Sequence, residues 1–298
     1  MPSADLHAVP APPTTVATLR SGDDVRAIFA CTRKDRLTAR TGTPYLALEL
    51  RDRTGAIGAR VFRDADLMAG RFDRGDLVRV SGRVERFRDE LQLEVAQIAR
   101  AEDADPAAFL PVAYRDLDEL DGFLEHLAGE VRDVQFQGFL ATLLADRELR
   151  SALRRSPCTR NGHHAYLGGL LEHTVAVATL ALETCVLHPR LEQDVLLSAA
   201  IVHDLGRTRE FTLGAEVGLT DEGRMLGHVE IGARMIEERA LAAGLDDARR
   251  LALAHCVLSH HGDRRAATPE ALALQRLNAL DASVKGALEH GMVPAAQG

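Results

Sequence analysis

The hydrophobic pattern changes its period near residue 115, and this change constrains the fold more than any other feature of the sequence. Between about residues 15 and 100, apolar positions such as Leu46, Leu48 and Leu50 alternate with small or charged ones, which predicts strands. From residue 116 to about 290, apolar residues recur every three or four positions, which predicts helices. The sequence therefore predicts a multidomain fold, an all-β domain followed by an all-α domain, and 298 residues suffice for two cores.

Composition sets the predicted boundaries. Residues 1–14 are rich in Pro and Ala without a period, and we expect a disordered leader there. Residues 15–100 form the predicted β domain, and residues 101–115, with two prolines, a linker. Residues 116–290 form the helical domain, with leading helices over 116–150 and the functional core over 151–290. No apolar run or signal-peptide pattern predicts a membrane segment, so we expect a cytoplasmic protein that does not act at a membrane.

The β domain has the pattern of a small barrel. About five strands, with a short helical stretch near Asp64 to Gly70, are typical of a five-stranded Greek-key barrel. The runs PYLALELRDRTGAIGARVF and RGDLVRVSGRVERFRDELQLEV resemble those of OB-fold nucleic-acid-binding domains. The resemblance implies that one barrel face and its loops bind single strands by charge and stacking.

Charge distribution favours the same part of the chain. The net charge is −8, but residues 20–100 carry 17 Lys and Arg against 13 Asp and Glu, a net of +4, whereas the remainder has 19 against 31. Basic residues attract polyanions such as nucleic acids. The alternative explanation is a general preference for arginine over lysine in this protein, since the chain has only two lysines. The predicted nucleic-acid contacts are Arg33, Lys34, Arg36, Tyr45, Arg60, Phe62, Arg86, Phe87 and Arg88.

Nine of the twelve histidines lie between His163 and His261, in the helical domain. His203 and Asp204 end an apolar helix, and a buried carboxylate is costly unless it is paired or binds a metal. His173 and Asp281, on other predicted helices, supply a further imidazole and carboxylate. Four such ligands from separate helices are how helical bundles build metal sites, and His and Asp suit divalent first-row metals. The four scattered cysteines predict only reduced core residues.

The order His173, His203-Asp204, Asp281 resembles that of the HD superfamily of metal-dependent phosphohydrolases. His228 in GHVEIG and the pair His260-His261 in LSHHGD resemble the additional ligands of HD proteins that hold two metals. The segments HHAYLGGLLEHT, IVHDLGRTREF, TDEGRMLGHVEIG, VLSHHG and TPEALALQRLNALDA, with the preceding barrel, resemble the YhaM-type 3′-to-5′ exoribonucleases. This resemblance implies hydrolysis of single-stranded RNA, or DNA, from the 3′ end to nucleoside 5′-monophosphates.

The resemblance also implies cofactors and further site residues. We expect two divalent ions sharing Asp204, manganese first, with iron, cobalt, nickel, zinc or magnesium as alternatives. Arg207 stands where HDxGK has lysine, and we expect it to grip the scissile phosphate although its planar fork differs from an ammonium. His163 and His164 border the site and are candidate substrate contacts, with a polar loop as the alternative. His255 is left out of the metal set because it is five residues from His260.

Two other functions remain open from the sequence. One is a phosphohydrolase of a small nucleotide, since HD sites serve many phosphate esters. The other is a nucleic-acid-binding regulator with an inactive HD site. We also expect that the helical domain could support a homo-oligomer.

Overall fold

The structure is a computed structural model that describes residues 14–291. The leader predicted over residues 1–14 falls almost entirely outside that range. These described residues divide into two compact units: the first runs up to Leu110 and includes Gly214–Glu216, and the second runs from Pro111 to Leu213 and continues from Val217. Within the segment predicted as a linker, Pro106–Phe109 forms a short 3-10 helix that Asp105 caps, and Leu110 is buried.

The first unit contains a closed five-stranded barrel with the strand order β1-β2-β3-β5-β4. All neighbouring strands are antiparallel except β3 and β5, which pair in parallel. Leu46, Leu48 and Leu50 are buried while Glu49 and Arg51 are exposed, as the alternation predicts, but Ala47 on the other face is buried as well. The elements are β1 (Asp24–Thr38), β2 (Pro44–Asp52), β3 (Gly55–Val61), α1 (Ala65–Ala69), β4 (Leu77–Phe87) and β5 (Glu90–Arg100).

The second unit is a helical bundle around a core that includes Phe136, Phe139, Leu170 and Leu197. Aspartate side chains cap the first turns of several helices, as at Asp116, whose side chain accepts from two backbone N–H groups. The helices are α2 (Leu117–Gly129), α3 (Val134–Ala145), α4 (Arg147–Arg155), α5 (Gly169–Leu187), α6 (Gln193–Val202), α7 (Arg207–Glu210), α8 (Asp221–Ala242), α9 (Asp247–Ser259) and α10 (Pro269–His290).

The predicted fold class is confirmed, with one addition. A two-stranded hairpin, β6 (Phe211–Leu213) with β7 (Val217–Leu219), interrupts the helical unit, so this unit is not purely α. Three-residue strands are too short to leave a recognisable alternation in the sequence.

Helix α5 is long and apolar enough to cross a membrane by length and composition alone. In the structure it is a core helix: Leu170, Leu171 and Val177 are buried against neighbouring helices. It also carries His173, whose ring is buried in the same bundle.

Candidate metal centre

The predicted metal ligands come together around Asp204, and we call this group the metal centre. Each comes from a different part of the bundle, because helices must cross to bring their ends to one point. The members are His173 on α5, His203 and Asp204 at the end of α6, His228 on α8, His260 and His261 at the end of α9, and Asp281 on α10.

The Asp204 carboxylate divides its two oxygens between two pairs of imidazoles. Oδ2 lies 3.8 Å from His173 Nε2 and 3.7 Å from His203 Nε2. Oδ1 lies 3.3 Å from His228 Nε2 and 3.4 Å from His260 Nε2. A carboxylate placed between two groups of ligands can contribute one oxygen to each of two neighbouring ions.

Backbone carbonyls fix the tautomers of two of these imidazoles. His203 Nδ1 is 2.8 Å from the carbonyl oxygen of Ala200, and His260 Nδ1 is 2.5 Å from that of Val257. Because a carbonyl oxygen only accepts, Nδ1 carries the proton in both rings. Each Nε2 therefore presents a lone pair to the centre, as metal-binding histidines require.

Carboxylates fix the tautomers of two further imidazoles, those of His173 and His228. His173 Nδ1 donates to Asp281 Oδ2 at 2.6 Å, and His228 Nδ1 donates to Glu210 Oε1 at 3.3 Å. Carboxylate–histidine pairs of this kind orient metal-binding imidazoles. Asp281 thus orients His173, and its predicted role as a ligand stays a prediction. Glu210 was missed by the sequence analysis, although it lies three residues after Arg207.

The centre combines several hydrogen-bond acceptors with few donors. His173 Nε2 lies 3.2 Å from His203 Nε2 and 3.0 Å from Oδ1 of Asn278, whose own amide Nδ2 donates to the carbonyl of His260. Among the described residues, Asp204 Oδ1 and His260 Nε2 are buried without a hydrogen-bond partner. Buried acceptors facing one another are unfavourable unless a donor or a cation lies between them. The residues present therefore fit divalent cations.

Arg207 is the positive group closest to this carboxylate. Its Nε donates to Asp204 Oδ2 at 2.7 Å and its Nη1 to Glu210 Oε2 at 3.3 Å, while Nη2 takes part in neither bond. Burial by itself would raise the pKa of Asp204, but the guanidinium of Arg207 holds that pKa well below its usual range. Asp204 is therefore ionised. The predicted grip on a phosphate stays a prediction, since the guanidinium is directed at two carboxylates.

Two glycines allow the metal centre to close. A Cβ added to Gly206 would lie 2.0 Å from the carbonyl oxygen of His228 and 2.5 Å from the backbone nitrogen of Gly232. Any side chain at Gly206 would push α8 away and move His228 out of reach of Asp204. This contact explains physically why glycines stand in both HDLG and GHVEIG.

Cys158 is free and buried, as predicted for the cysteines, and it also packs against the metal centre. Its Sγ lies 3.7 Å from Asp204 Oδ2, and burial raises the pKa of the thiol well above its usual range. Cys158, His173 and Asp204 are close enough to face one ion. A single cysteine 46 residues from the His-Asp pair gives no signal of this contact in the sequence.

The remaining predicted histidines lie at the border of the centre. His261 Nε2 is 2.8 Å from His228 Nε2. The pKa of His163 is lowered to about 4 and that of His164 to about 3, mainly by burial, so both rings are neutral at pH 7. His255 Nε2 accepts from the backbone nitrogen of Ala267 at 2.9 Å, which places it outside the metal centre, as expected.

In the barrel, three predicted nucleic-acid contacts are engaged with the protein itself. Lys34 Nζ donates to the carbonyl oxygens of Ala69 at 2.8 Å and Phe72 at 2.5 Å, at the end of α1. Arg33 is paired with Asp35 at 2.5 Å, and Arg36 with Asp66 at 2.7 Å. Lys34 is thus placed as a structural residue that caps a helix, and the two arginines share their charge with acidic neighbours.

The aromatic side chains predicted to contact nucleic acid include two that are exposed on the barrel surface, Phe62 and Phe87. Tyr45 and Phe62 lie side by side with ring centroids 5.7 Å apart, and Phe62 is 48% exposed. Phe87 is 58% exposed, and the guanidinium of Arg88 lies 5.3 Å from its ring centroid in the β4–β5 turn. Arg86, beside this turn, is exposed, and Arg60 donates to the neighbouring carbonyl of Ala59 at 2.9 Å.

Phe62 also lines a groove of about 680 Å³ that the sequence analysis did not anticipate. Arg26, Arg63 and Arg83 line it together with Asp24, Glu85 and Glu94. Arg26 lies on β1, Arg83 on β4 and Arg63 two residues after the end of β3, and the closure of the barrel brings them together.

Comparison with known proteins agrees with both units. The model of the HD domain matches residues 170–283, and that of the OB-fold nucleic acid binding domain matches residues 30–100. The chain is therefore an OB-fold domain followed by a helical HD domain. The 3′-5′ exoribonuclease YhaM of Shouchella clausii is 28% identical over 278 residues, 89% of this chain and 85% of that protein.

A second relative extends this comparison. The protein of the same name from Halalkalibacterium halodurans is 27% identical over 252 residues, covering 84% of this chain and 78% of its own. Both relatives span the barrel and the helical domain together. The chain is thus similar to the YhaM exoribonucleases over most of its length, in agreement with the resemblance found in the sequence.

Proposed function

We propose that this chain is a metal-dependent exonuclease that shortens single-stranded RNA from its 3′ end and releases nucleoside 5′-monophosphates. The observation that carries the proposal is the Asp204 carboxylate, buried and ionised between two pairs of imidazoles whose Nε2 lone pairs face it. The names of the relatives support the direction of cleavage and the choice of RNA. The matched nucleic-acid-binding domain supports a polymeric substrate over a single nucleotide.

The chain's own residues then have distinct tasks. His173, His203, Asp204, His228 and His260 would hold divalent ions, with His261 and Asp281 as the remaining predicted ligands. When bound, such ions activate water at neutral pH and stabilise charge on the phosphate oxygens. Phosphoryl transfer depends mainly on positioning and on electrostatic stabilisation, so no nucleophilic side chain is required.

Two residues would act on the ligands and thereby on the reaction. Arg207 holds Asp204 ionised and fixes one of its oxygens, and its free Nη2 is the nitrogen able to meet a phosphate. Glu210 binds both Arg207 and His228, so it couples the positions of the two. The barrel would raise the local concentration of the strand through the Tyr45–Phe62 pair and its arginines.

The test uses single-stranded RNA labelled at its 5′ end, incubated with Mn²⁺ or with EDTA, and products are read by length over time. We expect a descending ladder with the wild type and Mn²⁺, and no shortening with Asp204→Asn. The matched control is Asp263→Asn, the same chemical change at an exposed position. A ladder from Asp204→Asn loaded with metal would contradict the proposal.

The same experiment separates the alternatives. Intact RNA together with hydrolysis of free nucleotides would favour a small-nucleotide phosphohydrolase. RNA that is bound but never cleaved with any divalent metal would favour the binding regulator. Manganese as the native ion, a cytoplasmic location and self-association stay predictions.

A further inference from the structure

We propose that His163, His164 and Asp281 bind an additional divalent cation beside the metal centre. The two histidines were predicted as substrate contacts and are not members of the metal centre, whereas Asp281 belongs to both groups. The proposal goes beyond the exonuclease activity and does not depend on it. We call these three residues the flanking site.

The nitrogen and oxygen atoms of the flanking site converge. His163 Nδ1 lies 3.1 Å from His164 Nδ1, and His164 Nδ1 lies 3.8 Å from Asp281 Oδ2. One ligand atom from each of these residues and from His173 falls within 4.8 Å of all the others. Ligands about 2.0–2.2 Å from a shared ion are about 3–4 Å apart, so the spacing suits direct coordination. Two imidazoles and a carboxylate suit Mn²⁺, Fe²⁺, Co²⁺ or Zn²⁺.

The backbone holds this arrangement at a conformational cost. His164 has φ of 52°, a left-handed conformation that residues other than glycine seldom adopt. Its N–H donates to Glu289 Oε2 at 3.0 Å, and its carbonyl accepts from Cys158 N at 3.0 Å. A Cβ on Gly169 would lie 2.2 Å from that carbonyl, so α5 starts in direct contact with it. Strain held by so many contacts is typical of functional positions.

The carboxylate of Asp281 favours a cation over the substrate phosphate at this place, and the nearby ammonium of Lys285 is itself paired with Glu172 and Glu289. The buried His164 ring faces Asp281, and its backbone is bonded to a second carboxylate, Glu289. A phosphate placed between the two imidazoles would be brought close to the Asp281 carboxylate, which repels it. A divalent cation would be attracted by the same carboxylate and would accept both lone pairs. His163 and His164 lie beside His173, with ring centroids 5.2 and 5.5 Å away, so the flanking site adjoins the metal centre without including Asp204.

The experiment counts bound ions without RNA. Metal-free full-length protein is equilibrated by dialysis against Mn²⁺, and the ions retained per chain are measured by mass spectrometry. The test variant combines His163→Ala with His164→Asn, because asparagine tolerates the left-handed conformation better than other residues. The matched control is His126→Ala, an exposed histidine on α2. Far-UV circular dichroism checks that each variant is folded.

We expect the wild type and His126→Ala to retain one Mn²⁺ per chain more than the double variant. Equal numbers of ions in the folded double variant and the wild type would overturn the flanking site. Should the double variant not fold, the single variant His163→Gln decides the question by the same count, because this ring lies at the half-buried edge of the site. The count of ions is independent of RNA cleavage. If the wild type did not shorten RNA but the double variant still retained one ion fewer than the wild type, only the proposed exonuclease activity would be refuted.

Discussion

Replacing Arg207 by alanine tests how the buried charge at the metal centre is balanced. Asp204 is 2% exposed and Arg207 8% exposed, and their bond of 2.7 Å is the closest contact of this carboxylate with a positive side chain. Without the guanidinium, metal-free protein keeps a buried carboxylate that has lost this partner. Removing one member of a buried ion pair costs about 3–5 kcal/mol of stability. We expect a loss of that size in EDTA.

Divalent metal should reduce this loss. A cation at the metal centre neutralises Asp204 in place of the guanidinium, and it binds the folded chain in preference to the unfolded one. The loss of stability in saturating Mn²⁺ should therefore be smaller than the loss in EDTA by more than about 1.4 kcal/mol, roughly a tenfold change in the folding equilibrium.

Urea unfolding followed by far-UV circular dichroism measures both values, because the helical signal reports the HD domain. The matched control is Arg234→Ala, whose pair with Glu230 is exposed and separated by 3.5 Å. That variant should lose no more than about 1 kcal/mol under either condition. An Arg207→Ala loss that is the same with and without Mn²⁺ would refute the coupling between Arg207 and the metal centre.

Three further predictions concern the barrel and pH. Phe62→Ala should weaken binding of single-stranded RNA by about 1–3 kcal/mol if the Tyr45–Phe62 pair stacks on bases; fluorescence anisotropy measures this, and an unchanged affinity would contradict it. Lys34→Met should lower the thermal midpoint of the barrel, because two carbonyls lose their hydrogen-bond donor, which costs about 1–3 kcal/mol of stability. The affinity for RNA should stay the same. A large loss of affinity with an unchanged midpoint would instead support Lys34 as an RNA contact. Burial lowers the pKa of His164 from 6.5 to about 3. The unfolded chain therefore binds more protons than the folded chain below pH 6.5, and stability falls as the pH drops toward 3. In EDTA, the urea midpoint should be lower at pH 5.5 than at pH 7, and this decrease should be smaller in His164→Asn.

The sequence by itself determined the helices and strands and the residues that cluster around Asp204. Strand and helix periods are local patterns, so the barrel and the bundle could be predicted from Leu46, Leu48 and Leu50 and from the helical spacing after residue 116. The cluster of His173, His203 and Asp204 could be predicted because these residues stand in ordered motifs, and a carboxylate at the end of an apolar helix needs a partner.

Only the tertiary structure decided how these residues are used. Lys34 was predicted as an RNA contact but caps α1, because barrel closure brings the carbonyls of Ala69 and Phe72 to its ammonium. Cys158 gave no signal in the sequence but packs beside Asp204. The β6–β7 hairpin was too short for its pattern to be recognised.

The orientation of the imidazoles in the metal centre is likewise decided by the tertiary structure. The proton positions on His173 and His228 depend on Asp281 and Glu210, which lie 108 and 18 residues away along the chain. Contacts between residues so far apart in the sequence are set by helix crossing and by glycine contacts such as that of Gly206 with α8. No local pattern encodes them. The sequence specified which chemical groups are present, and packing decided which of them face one another.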